Sequence, residues 1–311
     1  MSETPRIVFM GTPEFALPAL RALIGHYSVV GVVTQPDRPA GRGRSLQPPP
    51  IKELALKNNL PLFQTKSLRP PQAVASLRDW APDVVVTAAT GHILTADVLA
   101  VPTRGTLNVH ASLLPRWRGA APIQAALLAG DAKTGITIMC TDEGLDTGPI
   151  LSQRAIPIAS RETAASLHDK LAQLGAELLL ETLPRWLSGE LLPHPQPDQG
   201  VTLAGRIRKE DGVINWTRSA AEIDRQVRAY TPWPGAYTFW NDRQLKVIAA
   251  FALSLHPDRP PGTVINHDGQ PTVVTGDGSL RLDHIQLAGK RALPAVEFVR
   301  GRPNFVEAQL K

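Results

Sequence analysis

Short, predominantly apolar runs recur through the first half of the chain, separated by helix-length segments, and this recurrence limits the fold more than any other feature. Residues 6–10, 29–33, 83–89 and 106–109 are such runs, and 60–63 is a shorter one. None shows the polar–apolar alternation of a half-exposed strand, so each reads as a strand buried on both faces, as in a parallel sheet covered by helices. Residues 51–58 and 71–80 read as two of the covering helices. The first run ends in Gly11-Thr12-Pro13-Glu14, where Thr12 is placed as N-cap, Pro13 in the first turn and Glu14 against the helix dipole. This strand–glycine–helix junction lacks the G-x-G-x-x-G of a dinucleotide site. The expectation is an α/β, Rossmann-like domain related to the doubly wound fold but without its nucleotide.

Two segments emerge at one edge of that sheet. The run 106–109 ends in Leu107-Asn108-Val109-His110, and period-two alternation puts Asn108 and His110 on the same side. Ligands bind at the carboxyl ends of parallel strands. A second run, 136–140, leads into Thr141-Asp142-Glu143-Gly144-Leu145-Asp146-Thr147-Gly148 and delivers Asp146 in a glycine-bracketed turn. An amide NH2 can donate to a developing oxyanion, an imidazole can donate or relay a proton, and a carboxylate beside an imidazole fixes its tautomer. The three residues suffice for transfer of a carbonyl unit without metal or covalent catalysis. Taken alone, they serve equally well as strand-end caps and a turn former.

The chain of 311 residues has room for two domains. Residues 119–128 read as a helix, 151–158 as a pair of short strands, and 162–187 as a long helix with Leu167, Leu171, Leu174 and Leu178 on one face and His168 as a structural residue. The pattern then dissolves into Gly189, Pro193, Pro195, Pro197 and Gly200 over 189–205, the composition of a semi-extended linker. Beyond it come one short helix, 220–229, and brief β-like runs at 236–240, 245–249, 262–265, 272–275 and 280–285, which suggest a small closed barrel.

Charge points the same way. Residues 1–205 hold 18 Lys/Arg against 17 Asp/Glu, whereas 206–311 hold 15 against 11, so most of the net +5 lies in the C-terminal third. That is compatible with a polyanionic partner. A further basic stretch, 35–50, carries Arg38, Arg42 and Arg44, with Lys52 just beyond, against Asp37 alone. Pro36, Pro39, Gly41, Gly43 and Pro48-Pro49-Pro50 exclude regular structure there by ordinary propensity. It reads either as a solvated surface loop or as a mobile basic loop that orders on a phosphate backbone. The single cysteine, Cys140, excludes internal disulfides and multi-cysteine metal sites and is expected to be a buried structural thiol. No signal-peptide pattern opens the chain and no apolar run approaches the roughly 18 residues of a membrane span, so a cytoplasmic protein without a membrane partner is expected.

The longer strings carry a family resemblance. Asn108-Val109-His110, followed by Ser112-Leu113-Leu114-Pro115 and Arg116-Trp117-Arg118-Gly119, resembles the signature of formyltransferases that use 10-formyltetrahydrofolate, and Gly144-Leu145-Asp146-Thr147-Gly148 is similar to their second signature. Gly11-Thr12-Pro13-Glu14-Phe15-Ala16 and the string from Thr34 to Gly43 resemble the branch acting on methionyl-tRNA. The resemblance runs in order from Arg6 to about Gly289 and implies a Rossmann-like catalytic domain with a mostly parallel sheet over 1–188, a linker over 189–205 and an OB-like, tRNA-binding barrel over 206–311. It implies that Asn108 and His110 stabilise a tetrahedral oxyanion while Asp146 orients His110. It places the folate cosubstrate against Ser112, Leu113, Leu114, Pro115 and Gly91, with no metal. The loop with Arg38, Arg42 and Arg44 would enter the acceptor end of the tRNA, while Arg206, Lys209 and Lys290 read either as a nucleic-acid face of the barrel or as its ordinary charged surface. The expected product is initiator formylmethionyl-tRNA, made by a monomer. Thr90 and His92 depart from the family around Gly91, as does Thr95, which replaces a proline; His92 is expected to be a surface loop histidine rather than a pocket contact. The competing readings are a formyltransferase for an amino-sugar nucleotide or glycinamide ribonucleotide, and a non-catalytic RNA-binding protein. The missing glycine fingerprint disfavours a nicotinamide dehydrogenase.

Overall fold

The computed structural model describes residues 4–40 and 45–311. The chain divides into two compact units, the first holding the stretch up to Pro122 with Lys133–Pro157 and His168–Ala204, the second holding Ile123–Ala132, Ile158–Leu167 and Gly205–Lys311. In chain order the first half contains β1 (Arg6–Gly11), α1 (Leu17–His26), β2 (Ser28–Thr34), β3 (Arg38–Ala40), β4 (Ser45–Gln47), α2 (Pro50–Lys57) and β5 (Leu62–Gln64). Next come α3 (Pro71–Asp79), β6 (Val84–Ala88), α4 (Ala96–Leu99), β7 (Thr106–His110) and β8 (Arg118–Gly119). Then follow α5 (Pro122–Ala129), β9 (Lys133–Cys140), β10 (Ile150–Pro157), α6 (Ala164–Leu187) and β11 (Leu203–Ala204).

Seven strands make one sheet in the order β10-β9-β7-β6-β1-β2-β5. The pairings from β5 to β7 are parallel, and β9 and β10 are added antiparallel. Strand order reverses between β1 and β6, so the carboxyl ends of those strands and of β7 flank the switch point where open sheets bind ligands. The apolar runs are buried as their composition requires: Val8, Met10, Val33 and Val85 pack with Leu68, Val74, Leu77 and Val98 in one core. On α6, Leu167, Leu171 and Leu178 are buried. A Cβ on Gly175 would lie 2.7 Å from Val109 Cγ1. A mid-helix glycine costs about 1 kcal/mol against alanine; here it lets α6 lie directly on β7, between the two site residues of that strand.

The structure corrects several local expectations. Thr12 does not cap a helix; Glu14–Ala16 form a 3-10 turn without a side-chain cap, and the Thr12 hydroxyl instead donates to Thr90 O at 2.9 Å, tying the ends of β1 and β6 together. The 35–50 stretch is not wholly irregular: β3 and β4 pair as an antiparallel hairpin, with Pro39 opposite Leu46. A two-stranded ribbon has free edges, and an edge tolerates proline's missing N–H. Lys52 in α2 is engaged by Asp37 at 2.8 Å. Residues 151–158 form one strand, not two; β10 is the sheet edge, where polar side chains interrupt the apolar pattern to meet α6, Ser152 bonding Thr182 and Arg154 pairing with Glu181. Cys140 ends β9 half-buried, and desolvation pushes its thiol up to about 11.

The second unit contains α7 (Ala220–Ala229), β12 (Ala236–Trp240), β13 (Arg243–Leu253), β14 (Val264–His267), β15 (Gln270–Val274), β16 (Ser279–Leu287), β17 (Leu293–Pro294) and α8 (Ala295–Arg300). Ser219 and Glu222 cap α7 reciprocally, as a capping box should. The strands run antiparallel in the order β12-β13-β16-β15-β14. Residues 307–311 join the two ends of this sheet: Glu307 N donates to Val264 O (2.7 Å), Leu310 N to Gly262 O (2.9 Å), and Lys311 exchanges both backbone bonds with Phe239 (3.2 Å each). The sheet is thus closed into a small barrel. Its core includes Trp240, Phe298 and Phe305, stacked edge to face with centroids 5.1–5.6 Å apart. Among the described residues no helix is long and apolar enough to cross a membrane.

Candidate active site

The site is built at the carboxyl edge of β6 and β7 in the first unit. Asn108 stands opposite Thr87 of β6 in the parallel register, and the Thr87 hydroxyl is 3.0 Å from Asn108 Oδ1. The Asp146 carboxylate only accepts, so Nδ2 donates to its Oδ1 at 3.3 Å, and Asn108 Oδ1 faces the Thr87 hydroxyl, whose one hydrogen is shared with Leu107 O at 3.2 Å. The bond to Asp146 uses one of two Nδ2 hydrogens. His110, two residues on and 6% exposed, places Nε2 3.0 Å from Trp117 O. A carbonyl only accepts, so Nε2 carries the hydrogen and Nδ1 presents a lone pair in the neutral ring. Nδ1 faces Asp146 Oδ2 at 3.6 Å, beyond a hydrogen bond. The Trp117 carbonyl therefore sets the tautomer, and Asp146 acts on His110 as a neighbouring negative charge.

Asp146 is held from all sides. Its backbone is left-handed, φ +52°, a conformation asparagine and aspartate tolerate better than most residues. Upstream, the Asp142 carboxylate accepts from Gly144 N (3.1 Å) and Thr147 Oγ1 (2.8 Å), fixing the turn. Gly119 N donates to Asp146 Oδ2 at 2.8 Å. Gly119 itself needs φ +118°, and a Cβ there would lie 2.5 Å from Ala204 O, because β8 pairs with β11. From the 189–205 stretch, Gln196 Nε2 donates to the carbonyls of Asp146 and Gly148, 2.8 Å each, while Oε1 accepts from Arg118 Nε at 2.9 Å.

The loop between β7 and β8 is internally bonded. Thr137 Oγ1 donates to Ser112 O (2.7 Å) and accepts from Leu114 N (3.1 Å); Gln153 Nε2 donates to Leu114 O (2.9 Å), and Arg116 N to Leu113 O (3.1 Å). Ser112 and Leu114 are buried, while Leu113 and Pro115 are half-buried. Ser112 is fully enclosed and Leu114 is 3% exposed, so the half-buried Leu113 and Pro115 form the accessible surface of a loop already made rigid. Gly91, at φ +71°, is exposed, and a Cβ there would meet only Gln35 Nε2, at 3.8 Å. This leaves the Gly91 backbone open and accessible. His92 is not the surface histidine expected: its Nδ1 lies 2.8 Å from Thr90 Oγ1 and its Nε2 2.9 Å from Thr65 O. Burial is the main cause holding its pKa below the usual value, with Arg38 contributing.

Arg38 is exposed and donates to Gln35 Oε1 at 3.0 Å. Arg42 and Arg44 lie outside the described residues. Arg206, Lys209 and Lys290 are exposed on the second unit. Among the described residues, no group of three or more His, Cys, Asp or Glu is placed to hold a metal ion. Sequence reasoning brought together Asn108, His110 and Asp146 but passed over their supports: Thr87, the Trp117 carbonyl, the Gly119 N–H and Gln196. Thr87 had a signal, as the one polar residue in Val84–Ala88. Gln196 had none beyond lying between two prolines.

The comparisons with known proteins agree with this geometry. The Formyl transferase family matches residues 5–183, and Formyl transferase, C-terminal domain, matches 206–303. The methionyl-tRNA formyltransferase of Myxococcus xanthus is 51% identical over 299 residues, covering 96% of this chain and 95% of that protein; that of Magnetococcus marinus is 49% identical, with 95% of each covered. Among solved structures, the sugar 3N-formyl transferase WlaRD, determined with dTDP and 5-N-formyl-THF, superposes with a TM-score of 0.67 at 17% identity, over 93% of this chain and 100% of that one. HypX from Aquifex aeolicus in complex with tetrahydrofolic acid superposes at 0.62 with 16% identity, over 96% of this chain and 47% of that one. Fold and site thus define a formyl-transferring enzyme. At the level of close relatives, the chain belongs to the methionyl-tRNA formyltransferase family.

Proposed function

We propose that this chain transfers the formyl group of 10-formyltetrahydrofolate to the α-amino group of initiator methionyl-tRNA. The observation that carries the reading is the joined set Asn108, His110 and Asp146 at the switch-point edge, in a chain half identical to curated methionyl-tRNA formyltransferases. The folate donor, when bound, supplies an activated one-carbon carbonyl. The second Nδ2 hydrogen of Asn108 donates to the oxyanion formed as the amine attacks; losing one such donor costs about 2.7–4 kcal/mol in other enzymes. His110 Nδ1 offers the lone pair that takes the amine's proton, directly or through water, and the imidazolium so formed faces the Asp146 carboxylate. The proton then returns to the departing folate nitrogen as the tetrahedral centre collapses, so the enzyme ends as it began.

The accessible backbone at Gly91 and the loop carrying Ser112, Leu113, Leu114 and Pro115 hold the folate in this reading. Arg38, with Arg42 and Arg44 beyond it in sequence, meets the acceptor end of the tRNA, and Arg206, Lys209 and Lys290 meet its body. In this reading 1–188 is the catalytic domain, 189–205 the linker and 206–311 the tRNA-binding barrel of a cytoplasmic monomer. The test is a formylation assay with charged initiator and elongator methionyl-tRNA. Selective formylation of the initiator, with Asn108→Ala lowering kcat at unchanged tRNA affinity, is expected. Folate binding without tRNA formylation would move the acceptor to a small amine.

A further inference from the structure

Gln196 is the one position between residues 192 and 200 that turns inward; its neighbours on both sides are exposed. Its amide is fully committed. Both Nε2 hydrogens go to the carbonyls of Asp146 and Gly148, and Oε1 accepts from Arg118 Nε. The opposite orientation of the amide would set an oxygen against two carbonyl oxygens and an NH2 against a guanidinium, so only one orientation is chemically permitted.

The two carbonyls that Gln196 holds lie at the C-terminal end of the turn that presents Asp146. The Arg118 it holds directly precedes Gly119, whose N–H binds Asp146 Oδ2. One side chain therefore clamps, from outside the catalytic set, both loops that meet at the carboxylate: 142–148 through carbonyls, and 116–119 through Arg118. The adjoining backbone reinforces the strap, since His194 exchanges hydrogen bonds with Ile150 and Thr202 Oγ1 accepts from Trp117 N at 2.8 Å, next to the carbonyl that sets the His110 tautomer.

We infer that Gln196 is a positioning residue for formyl transfer: it fixes the left-handed Asp146 turn so that the carboxylate meets Asn108, Gly119 and His110 together. This rests on the proposed catalytic role of Asp146. The Gln196 amide is committed to protein groups, so its loss is expected to move kcat and not the substrate affinities. Displacements near 1 Å at a reacting centre cost about 10²-fold in rate, and a fall of about ten- to one-hundred-fold is expected.

Gln196→Glu separates clamp from bulk. It keeps size and the Arg118 contact but turns acceptors toward two carbonyls; protonated, it regains one donor. Gln196→Met removes the polar atoms at similar volume. Expected for the full chain: both variants melt near the parent temperature, lose kcat at neutral pH and keep KM for methionyl-tRNA and folate. The Glu variant recovers relative to the parent as pH falls toward 5, and the Met variant does not. In an Asp146→Asn background the Gln196→Glu effect disappears, because a positioning residue has nothing left to position. Parent-like kcat in both Gln196 variants, or equal losses with and without Asp146, overturns the inference. Parent-like kcat in Asp146→Asn alone overturns instead the role of Asp146 on which it rests. If Gln196→Glu unfolds, Gln196→Met carries the same comparison.

Discussion

Replacing Asp146 by asparagine changes one oxygen to an NH2 and leaves shape and left-handed backbone preference in place, so it isolates the carboxylate's charge and acceptor capacity. Oδ2 accepts from Gly119 N at 2.8 Å and Oδ1 from Asn108 Nδ2 at 3.3 Å. An asparagine can satisfy one of these donors; the other then meets an NH2, and a donor left without an acceptor costs about 1–3 kcal/mol. The second loss is electrostatic. A carboxylate about 4 Å from an imidazolium is worth about 4 kcal/mol at an effective dielectric near 20, and the pair stands at 3.6 Å with side chains 6% and 18% exposed. Residual solvent screening reduces that figure. The first loss falls on stability and on the placing of the turn; the second, after screening, raises the barrier by about 2–3 kcal/mol, or about 10²-fold in kcat. The assay is single-turnover formylation of charged initiator tRNA at saturating folate, with tRNA and folate affinities measured separately and expected to hold. An Asp146→Asn protein that melts normally and turns over within about fivefold of the parent would refute the reasoning, since the carboxylate would then be no more than a turn former.

Thr87→Val keeps the volume of a buried residue but removes the hydroxyl that orients the Asn108 amide; a net hydrogen bond of about 0.5–1.5 kcal/mol sets the expected fall in kcat, up to roughly tenfold with little change in Tm, and parent-like kcat would remove Thr87 from the site. Gly119→Ala places a Cβ 2.5 Å from Ala204 O at φ +118°, so strain of about 1–3 kcal/mol should lower Tm and, by shifting the Gly119 N–H, kcat as well; an unchanged melt would mean that the β8–β11 pairing is absent in solution. Burial holds the His92 pKa below its ordinary 6.5, so below that pH the unfolded chain binds the extra proton first and stability falls as pH drops toward the folded value. Urea melts from pH 7.5 to 5 should show that slope, and His92→Gln should flatten it.

Much of the first unit could be read from composition because a strand buried on both faces has little choice of residues: the runs ending in Met10, Val33, Ala88 and Val109 all became the parallel strands expected. Asn108 and His110 were ambiguous as isolated polar residues at a strand end and became legible only with the longer strings around them, through Gly119 and from Gly144 to Gly148. What failed to show was anything decided by a distant partner. Thr12 has the local chemistry of a cap, but Thr90, 78 residues away, claims its hydroxyl. The prolines near Arg38 suggested loop until an unpaired edge made them harmless. α8 is only six residues long, too short for a periodicity to emerge. The run 189–205 carried linker composition, and nothing in it told that Gln196 would face inward or that β11 would find β8.

The closure of the barrel through residues 307–311 has a consequence for how the protein is made. A ribosome that has already translated α8 has still not supplied the segment that stitches Val264 to Phe239. Until it does, β14 and the Phe239 end of β12, beyond the bond from Ile214 N to Tyr237 O, are open edges, with backbone donors and acceptors available to any neighbouring nascent chain. Chains fold domain by domain as they are synthesised, but this domain cannot complete its ring while those residues are still in the exit tunnel. A premature stop or proteolytic nick there would therefore leave two sticky edges rather than a slightly shortened tail, and its first symptom would be aggregation during expression.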